Sequence, residues 1–238
     1  MRITFIGTSH GIPQQGRKCS CTLVEAGGRM YLVDLGTMIT EALAERSLTP
    51  ASIGAVFLTH MHGDHVNGLP AFVDQIAWAW KDADPEIFLP EKEHAEWLEG
   101  WIAMTSGKEK AIRWRGVEDG AVFDDGVMKV TAYQNRHTAR SFSFLLEAGG
   151  KRVLFTGDLK KPEKDFPALA ADTSLDLIVG EAAHFSPTEY IPVCRRYRVK
   201  ALCLNHCSPK RTAEIPVLAE ALAPVPVTAV WDGMELTL

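Results

Sequence analysis

Along the first third of the chain the apolar positions fall in short runs that alternate or stop at glycine: RITFIGT at 2–8, CTLVEAG at 21–27, RMYLVDLG at 29–36 and GAVFLTH at 54–60. Patterning of this length predicts strands, and Gly27-Gly28 predicts a hairpin between the second and third. Past His65 the period changes. Val66, Leu69, Phe72, Val73, Ile76, Ala77 and Trp80 recur at the spacing of one amphipathic helix, with Pro70 in its first turns. Ala95, Leu98, Trp101 and Ile102 share a face of a second, between about Glu91 and Met104. The order then repeats: strands VMKVTAYQN, SFSFLLEAG and KRVLFTGD, a hairpin at Gly149-Gly150, LDLIVGEA, a helix near Pro187 to Tyr197, and the strand KALCLNH. This predicts an α/β fold of two β-plus-helix halves packed sheet to sheet with helices outside. No Ser/Gly linker or long charge run separates them, so a single domain over 1–238 is expected.

Composition changes this picture little. With 46% hydrophobic residues the chain can bury a full core, and its net charge of −5 offers no global positive field to hold a polyanion. No apolar run approaches the roughly 18 residues of a membrane span, and the first residues pattern as a strand, not a signal peptide. A cytoplasmic location without membrane contact is expected. Cys19, Cys21, Cys194, Cys203 and Cys207 are an odd number in a chain too large to need staples, so reduced, mostly core-packed thiols are expected.

The candidate chemistry lies in Thr59-His60-Met61-His62-Gly63-Asp64-His65, three imidazoles and a carboxylate in six residues where a strand ends and a helix begins. Imidazole nitrogen and carboxylate oxygen suit Zn, Mn and Fe, and these groups can be divided between two ions. His137, Asp158 and His206 each close a β-like run, and strand-end loops converge on one edge of a layered fold. Asp34 ends YLVD in the same manner and is placed to orient a metal-bound imidazole.

The order Asp34, HMHGDH, His137, Asp158, His206 resembles the motif signature of the metallo-β-lactamase superfamily. The resemblance implies an αββα sandwich with the site at one edge. It also implies that His60, His62 and His137 hold one metal, Asp64, His65 and His206 the other, with Asp158 between them. Members that open β-lactam rings have Cys where Asp158 stands, and the flavodiiron members have Glu at the position of His62, so neither activity is expected. FIGTSHGIP, YLVDLGT, HTARSFSF and VGEAAH are similar to stretches of ribonuclease Z and of the small cyclic-phosphate phosphodiesterase of bacterial phosphonate breakdown. Glu181 and His184 resemble the Glu and His that precede the last ligand in that branch. The tRNA-processing enzymes insert a long arm between the motifs of His137 and Asp158, and here that interval is short.

The expectation is a dinuclear hydrolase of small or cyclic phosphodiesters, working through a hydroxide shared by two divalent ions, with Asp64, Asp158 and His184 as catalytic groups. Zinc is the expected metal, with manganese or iron as alternatives. His184 would protonate the leaving group. Lys160, Lys161, Lys210, Arg211 and Arg140 are candidate phosphate contacts. The rival readings are a lactone or thioester hydrolase on the same site and a non-catalytic metal sensor. No long nucleic acid is expected as partner. Trp78, Trp80, Trp97, Trp101 and Trp114 are expected mostly in the core, and any left exposed would favour a homodimer.

Overall fold

Strand alternation divides the apolar residues into three separate cores. In the computed structural model, which describes residues 1–105, 110–170 and 172–238, the strands β1 (Arg2–Gly7), β2 (Cys21–Ala26), β3 (Arg29–Leu35), β4 (Ile53–Phe57), β5 (Glu86–Leu89) and β6 (Arg113–Gly116) form one sheet. A second contains β7 (Gly120–Asp124), β8 (Lys129–Gln134), β9 (Phe142–Ala148) and β10 (Lys151–Phe155). The pair β11 (Ser174–Leu175) and β13 (Arg198–Val199) stands apart; β12 (Leu177–Ala182), β14 (Leu202–Cys207) and β15 (Val227–Ala229) complete the second sheet, and β16 (Glu235–Thr237) returns to the first. The orders are β16-β1-β2-β3-β4-β5-β6 and β15-β14-β12-β10-β9-β8-β7.

Because successive side chains point to opposite faces, Val153, Phe155, Leu177, Val179 and Cys203 enter the core between the sheets, where Phe57, Phe88 and Phe144 also lie. Their neighbours Leu154, Ile178, Leu202 and Leu204 face outward beneath α6 (Ile191–Arg196) and α7 (Ile215–Leu222). On the first sheet Leu23, Leu32, Val56 and Ile87 face outward beneath α1 (Ile39–Ala44), α3 (Leu69–Trp78) and α4 (His94–Thr105). The result is the four-layered αββα sandwich, with α2 (Gly63–Val66) and α5 (Pro162–Asp165) as single turns at its edge.

Both glycine hairpins form, β2 to β3 and β9 to β10. The amphipathic stretch after His65 is two helices instead of one, broken at Asn67-Gly68, because the Gly68 amide bonds to the Leu35 carbonyl and a Cβ on Gly68 would collide with the Thr37 carbonyl. The region from Pro187 to Tyr197 opens as a 3₁₀ turn before α6.

The tryptophans are not mainly core residues. Trp114 is buried and Trp80 packs partly on the first outer core, but Trp78, Trp97 and Trp101 are exposed, Trp97 to 80%. Ala95 and Ile102 supply the buried face of α4, and Trp101 lies outside it. All five cysteines are buried and unpaired. Among the described residues no helix is long and apolar enough to cross a membrane.

At the end of the sandwich remote from the histidines, Asp125 ties the two sheets together. Its Oδ2 accepts from Tyr31 Oη at 2.8 Å and pairs with Arg29 at 2.6 Å, while its Oδ1 accepts from the amides of Val127 and Met128. Burial alone would push this carboxyl up; the Met128 amide, the Arg29 guanidinium, the Val127 amide and the Tyr31 hydroxyl outweigh it and hold it down to about 2. A carboxyl depressed on folding stabilises above its unfolded value near 3.9 and loses that contribution as the pH falls through its folded value. Asp125→Ala should therefore lower the unfolding free energy by about 1–3 kcal/mol at neutral pH. In urea titrations the deficit should be full above about pH 4 and shrink toward pH 2.

Candidate metal centre

The histidine cluster forms where three strand ends meet. Beyond β4, Leu58 donates its amide to the Phe88 carbonyl at 3.1 Å, and the Phe142 amide donates to the Thr59 carbonyl at 2.8 Å, so the His60 loop is fastened to both sheets. His62 precedes α2, whose single turn carries Asp64 and His65. A Cβ on Gly36 would overlap the Asp64 carbonyl; only glycine allows the chain after β3 to pass this close.

Two donor sets result. Ligand-type atoms of His60, His62, His137 and Asp158 lie within 4.8 Å of one another, and those of Asp64, His65 and His206 do likewise. Asp158 stands between them: its oxygens are 3.8 Å from His60 Nε2, 3.4 Å from His65 Nε2, 3.6 Å from His137 Nε2 and 3.5 Å from His206 Nε2. His65 Nε2 and His206 Nε2 lie 3.6 and 3.5 Å from Asp64 Oδ2.

The partners of the other ring nitrogens orient these rings. His65 Nδ1 is 2.7 Å from Asp34 Oδ2, and His206 Nδ1 donates to the Ser9 carbonyl at 2.9 Å. Carboxylates and carbonyls only accept, so in the neutral rings Nδ1 carries the proton and Nε2 turns its lone pair inward. Asp34 Oδ1 also accepts from the amide and hydroxyl of Thr59, whose Oγ1 is 3.1 Å from His60 Nδ1. Burial, then His65, lowers His60 to about 2, and burial lowers His137 to about 4, so both are neutral donors at pH 7. Against burial, Asp34 and Asp158 hold His65 well above the ordinary value, while His206 and His65 hold Asp158 well below it.

Whether a metal suits this set is tested by the atoms left without partners. His60 Nε2, His65 Nε2 and Asp158 Oδ1 are buried with no hydrogen bond among the described residues. Such orphans cost about 1–3 kcal/mol each, and all three point into one nitrogen- and oxygen-lined space that divalent cations satisfy. The donor chemistry fits two ions.

A third group adjoins Asp158. His184 Nδ1 is 3.7 Å from Asp158 Oδ2 and 2.9 Å from Glu181 Oε1. Glu181 is buried and also accepts from the amides of Leu159, Ala183 and His184; its lone pairs are occupied, which makes it a support for His184. That hydrogen bond holds the imidazole above the usual histidine value.

Other candidates are placed differently. Arg140 faces away, bonding Glu118, the Pro90 carbonyl and the Val117 carbonyl, because strand-end backbone needs a donor there. Arg211 pairs with Glu214. The opening loop contributes through groups that residue type does not reveal. Besides the Ser9 carbonyl, the Gly11 amide donates to Asp64 Oδ2 at 3.0 Å, and His10 lies close enough that His206 and Arg17 add to burial in lowering it. Backbone groups carry no residue-type signal; the similarity of FIGTSHGIP to related proteins was the only pointer.

Fold and site together define a candidate two-metal centre at the edge of a metallo-β-lactamase fold. The family model described as "Anti-Pycsar protein Apyc1" matches residues 1–189, and the chain belongs to that family. It is 29% identical over 155 residues to a ribonuclease BN of Cronobacter sakazakii, covering 63% of this chain and 51% of that protein. With a ribonuclease Z of Pseudomonas putida it shares 32% identity over 148 residues, covering 61% and 46%. The matched segments thus span about half the length of these curated relatives. Human tRNase Z, short form, superposes over 100% of this chain and 99% of its own with a TM-score of 0.75 at 22% identity, a likeness of fold.

Zinc or manganese loading is expected to give two ions per chain by elemental analysis. Asp158→Ala should lower the content of both, because one carboxylate faces both donor sets; full occupancy in that variant would show that Asp158 holds neither.

Proposed function

We propose that this chain is a dinuclear phosphodiesterase of small or cyclic phosphodiesters. The observation that carries the reading is His184. Its Nδ1 is held by a buried carboxylate beside Asp158, its side chain is 40% exposed, and its Nε2 has no protein partner among the described residues. A phosphodiester leaves as an alkoxide and needs a proton, and an imidazole fixed at one nitrogen and free at the other can deliver it.

His60, His62 and His137 would hold one ion and Asp64, His65 and His206 the other, with Asp158 shared; when bound, two such ions supply a water of lowered pKa and neutralise charge on phosphoryl oxygens. Around them Asp34 and the Ser9 carbonyl keep His65 and His206 in the tautomer that presents Nε2, and the Gly11 amide steadies Asp64. Glu181 keeps a proton on His184 Nδ1, so the proton that departs is the one on Nε2. The β9–β10 hairpin fills the interval from His137 to Asp158, which favours compact substrates.

His184→Ala should leave metal content intact and cut turnover of an alkyl phosphodiester by roughly 100- to 10,000-fold, the range for a general acid. A p-nitrophenyl ester, whose leaving group needs little protonation, should retain considerably more activity. Equal losses on both esters would remove the proton-donor role, and no loss on either would remove the phosphodiesterase reading. Precursor tRNA should not be cleaved appreciably; efficient site-specific cleavage at moderate salt, read on a gel, would contradict the preference for compact substrates.

A further inference from the structure

The loop from Thr8 to Ser20, between β1 and β2, serves one of the two donor sets and not the other. Its Ser9 carbonyl accepts from His206 Nδ1 at 2.9 Å, and its Gly11 amide donates to Asp64 Oδ2 at 3.0 Å. Two of the three groups in the Asp64, His65 and His206 set are therefore aimed by this loop. Among the described residues it makes no hydrogen bond to His60, His62 or His137, which bond to Thr59, to each other and to Asn135. A loop orients a ligand only as well as it is itself held.

What holds it comes from the other end of the sequence. Asp232 sits in a turn closed by the Met234 amide on the Trp231 carbonyl, and this turn is fastened to β1 by the Gly233 amide on the Phe5 carbonyl at 2.7 Å and the Phe5 amide on the Met234 carbonyl at 2.9 Å. From this support its carboxylate reaches both stems of the loop. Oδ1 accepts from the Thr8 hydroxyl at 2.7 Å, and Oδ2 accepts from the Lys18 amide at 2.7 Å. Both arms end next to Ser9: Thr8 precedes it, and the Lys18 carbonyl accepts the Ser9 amide at 2.8 Å. Arg17 completes the clasp, donating from Nε to Thr8 Oγ1 at 2.9 Å and from Nη2 to the Thr8 carbonyl at 2.6 Å. The buried Thr8 hydroxyl thus accepts from a guanidinium and donates to a carboxylate, and each of these bonds polarises the next.

Resting on the two-ion reading of the centre, we propose that Asp232 is a positioning residue for the Asp64, His65 and His206 set: it fixes Ser9, and Ser9 fixes His206. The route has little slack at its end. His206 holds left-handed backbone, with φ of 48°, and its Nδ1 bonds to the Ser9 carbonyl alone among the described residues. Rotation of that carbonyl would let the ring turn Nε2 away from Asp64 and Asp158, each 3.5 Å distant. His65, oriented by Asp34, and the His60, His62 and His137 set stand outside this route, so the effect of Asp232 falls on one ion and spares the other.

The test is a zinc titration of the metal-free protein against a chelating indicator, with the step that belongs to this set identified as the one lost in His206→Ala. In Asp232→Ala that step should weaken by about 10-fold or more, the range for groups that orient a metal ligand from behind, while the other step is unchanged. Asp232→Asn, which keeps one accepting oxygen for the Thr8 hydroxyl, should recover part of the loss. Equal weakening of both steps would mark a general loosening of the fold, and no weakening would mark an idle contact; either overturns the proposal. A second measurement needs no metal. In Asp232→Ala the amides of Ser9 and Lys18 should exchange with solvent about 10-fold faster or more, relative to those of Leu58 and Phe142 that fasten the His60 loop; unchanged rates overturn the proposal. Fewer than two zinc ions in wild type would sink the two-ion reading instead, and the exchange rates then decide alone whether Asp232 holds the loop.

Discussion

Asp158 is 3% exposed and stands within 4 Å of nitrogens from five imidazoles, those of His60, His65, His137, His184 and His206. A buried carboxylate is unfavourable unless its charge is answered, and buried imidazole nitrogens are unfavourable unless their lone pairs are used. Each group makes the other tolerable only while they are held together, and divalent cations between them would satisfy both. Much of the surrounding structure can be understood as holding this arrangement against its own tendency to hydrate or disperse.

The holding is shared by backbone groups, the Thr59 hydroxyl and the buried carboxylates of Asp34 and Glu181. Asp34 and His206 both adopt left-handed backbone, with φ of 59° and 48°, a conformation that costs non-glycine residues about 1–3 kcal/mol where the surroundings enforce it. Each is anchored on the far side of its strain: Asp34 by Thr59 and His65, His206 by the Ser9 carbonyl. The aromatic packing of Phe57 on Phe88 and Phe144, with ring centroids 5.0 and 5.8 Å apart, fixes the end of β4 just before the His60 loop. Strain at the edge is thus offset by packing in the core between the sheets.

Most of what alternation could reveal was legible in the sequence. The two glycine hairpins and the buried central strands have clear period-two patterns, and the cluster of imidazoles at strand ends declared itself by residue type. What escaped notice depends on contacts distant in sequence. The apolar spacing from Val66 to Trp80 continues across Asn67-Gly68, yet the helix breaks there because Gly68 bonds across to Leu35. The short strands RWRG, GAVFD and ELT lie at sheet edges and are too short to show alternation. Arg140 resembled a phosphate contact in sequence, and only the fold places Glu118 beside it.

The same contrast bears on selectivity. The connection from His137 to Asp158 is one hairpin, so little chain is available there to grip a long substrate, and on the proposed reading discrimination would come from side chains close to the centre. On that side Arg140 is already occupied by Glu118 and backbone carbonyls, whereas Arg136 and the lysines after Asp158 have no internal partner. Arginines such as Arg140 hold loops, whereas cations without an internal partner stay available to a bound group. A chain with net charge −5 that keeps such a cluster on the loops flanking His137 and Asp158 is unfavourable to polyanions as a whole and locally positive at one place. On the proposed reading, compactness and charge of the substrate would both be selected by one feature, a short hairpin with basic residues at both of its ends.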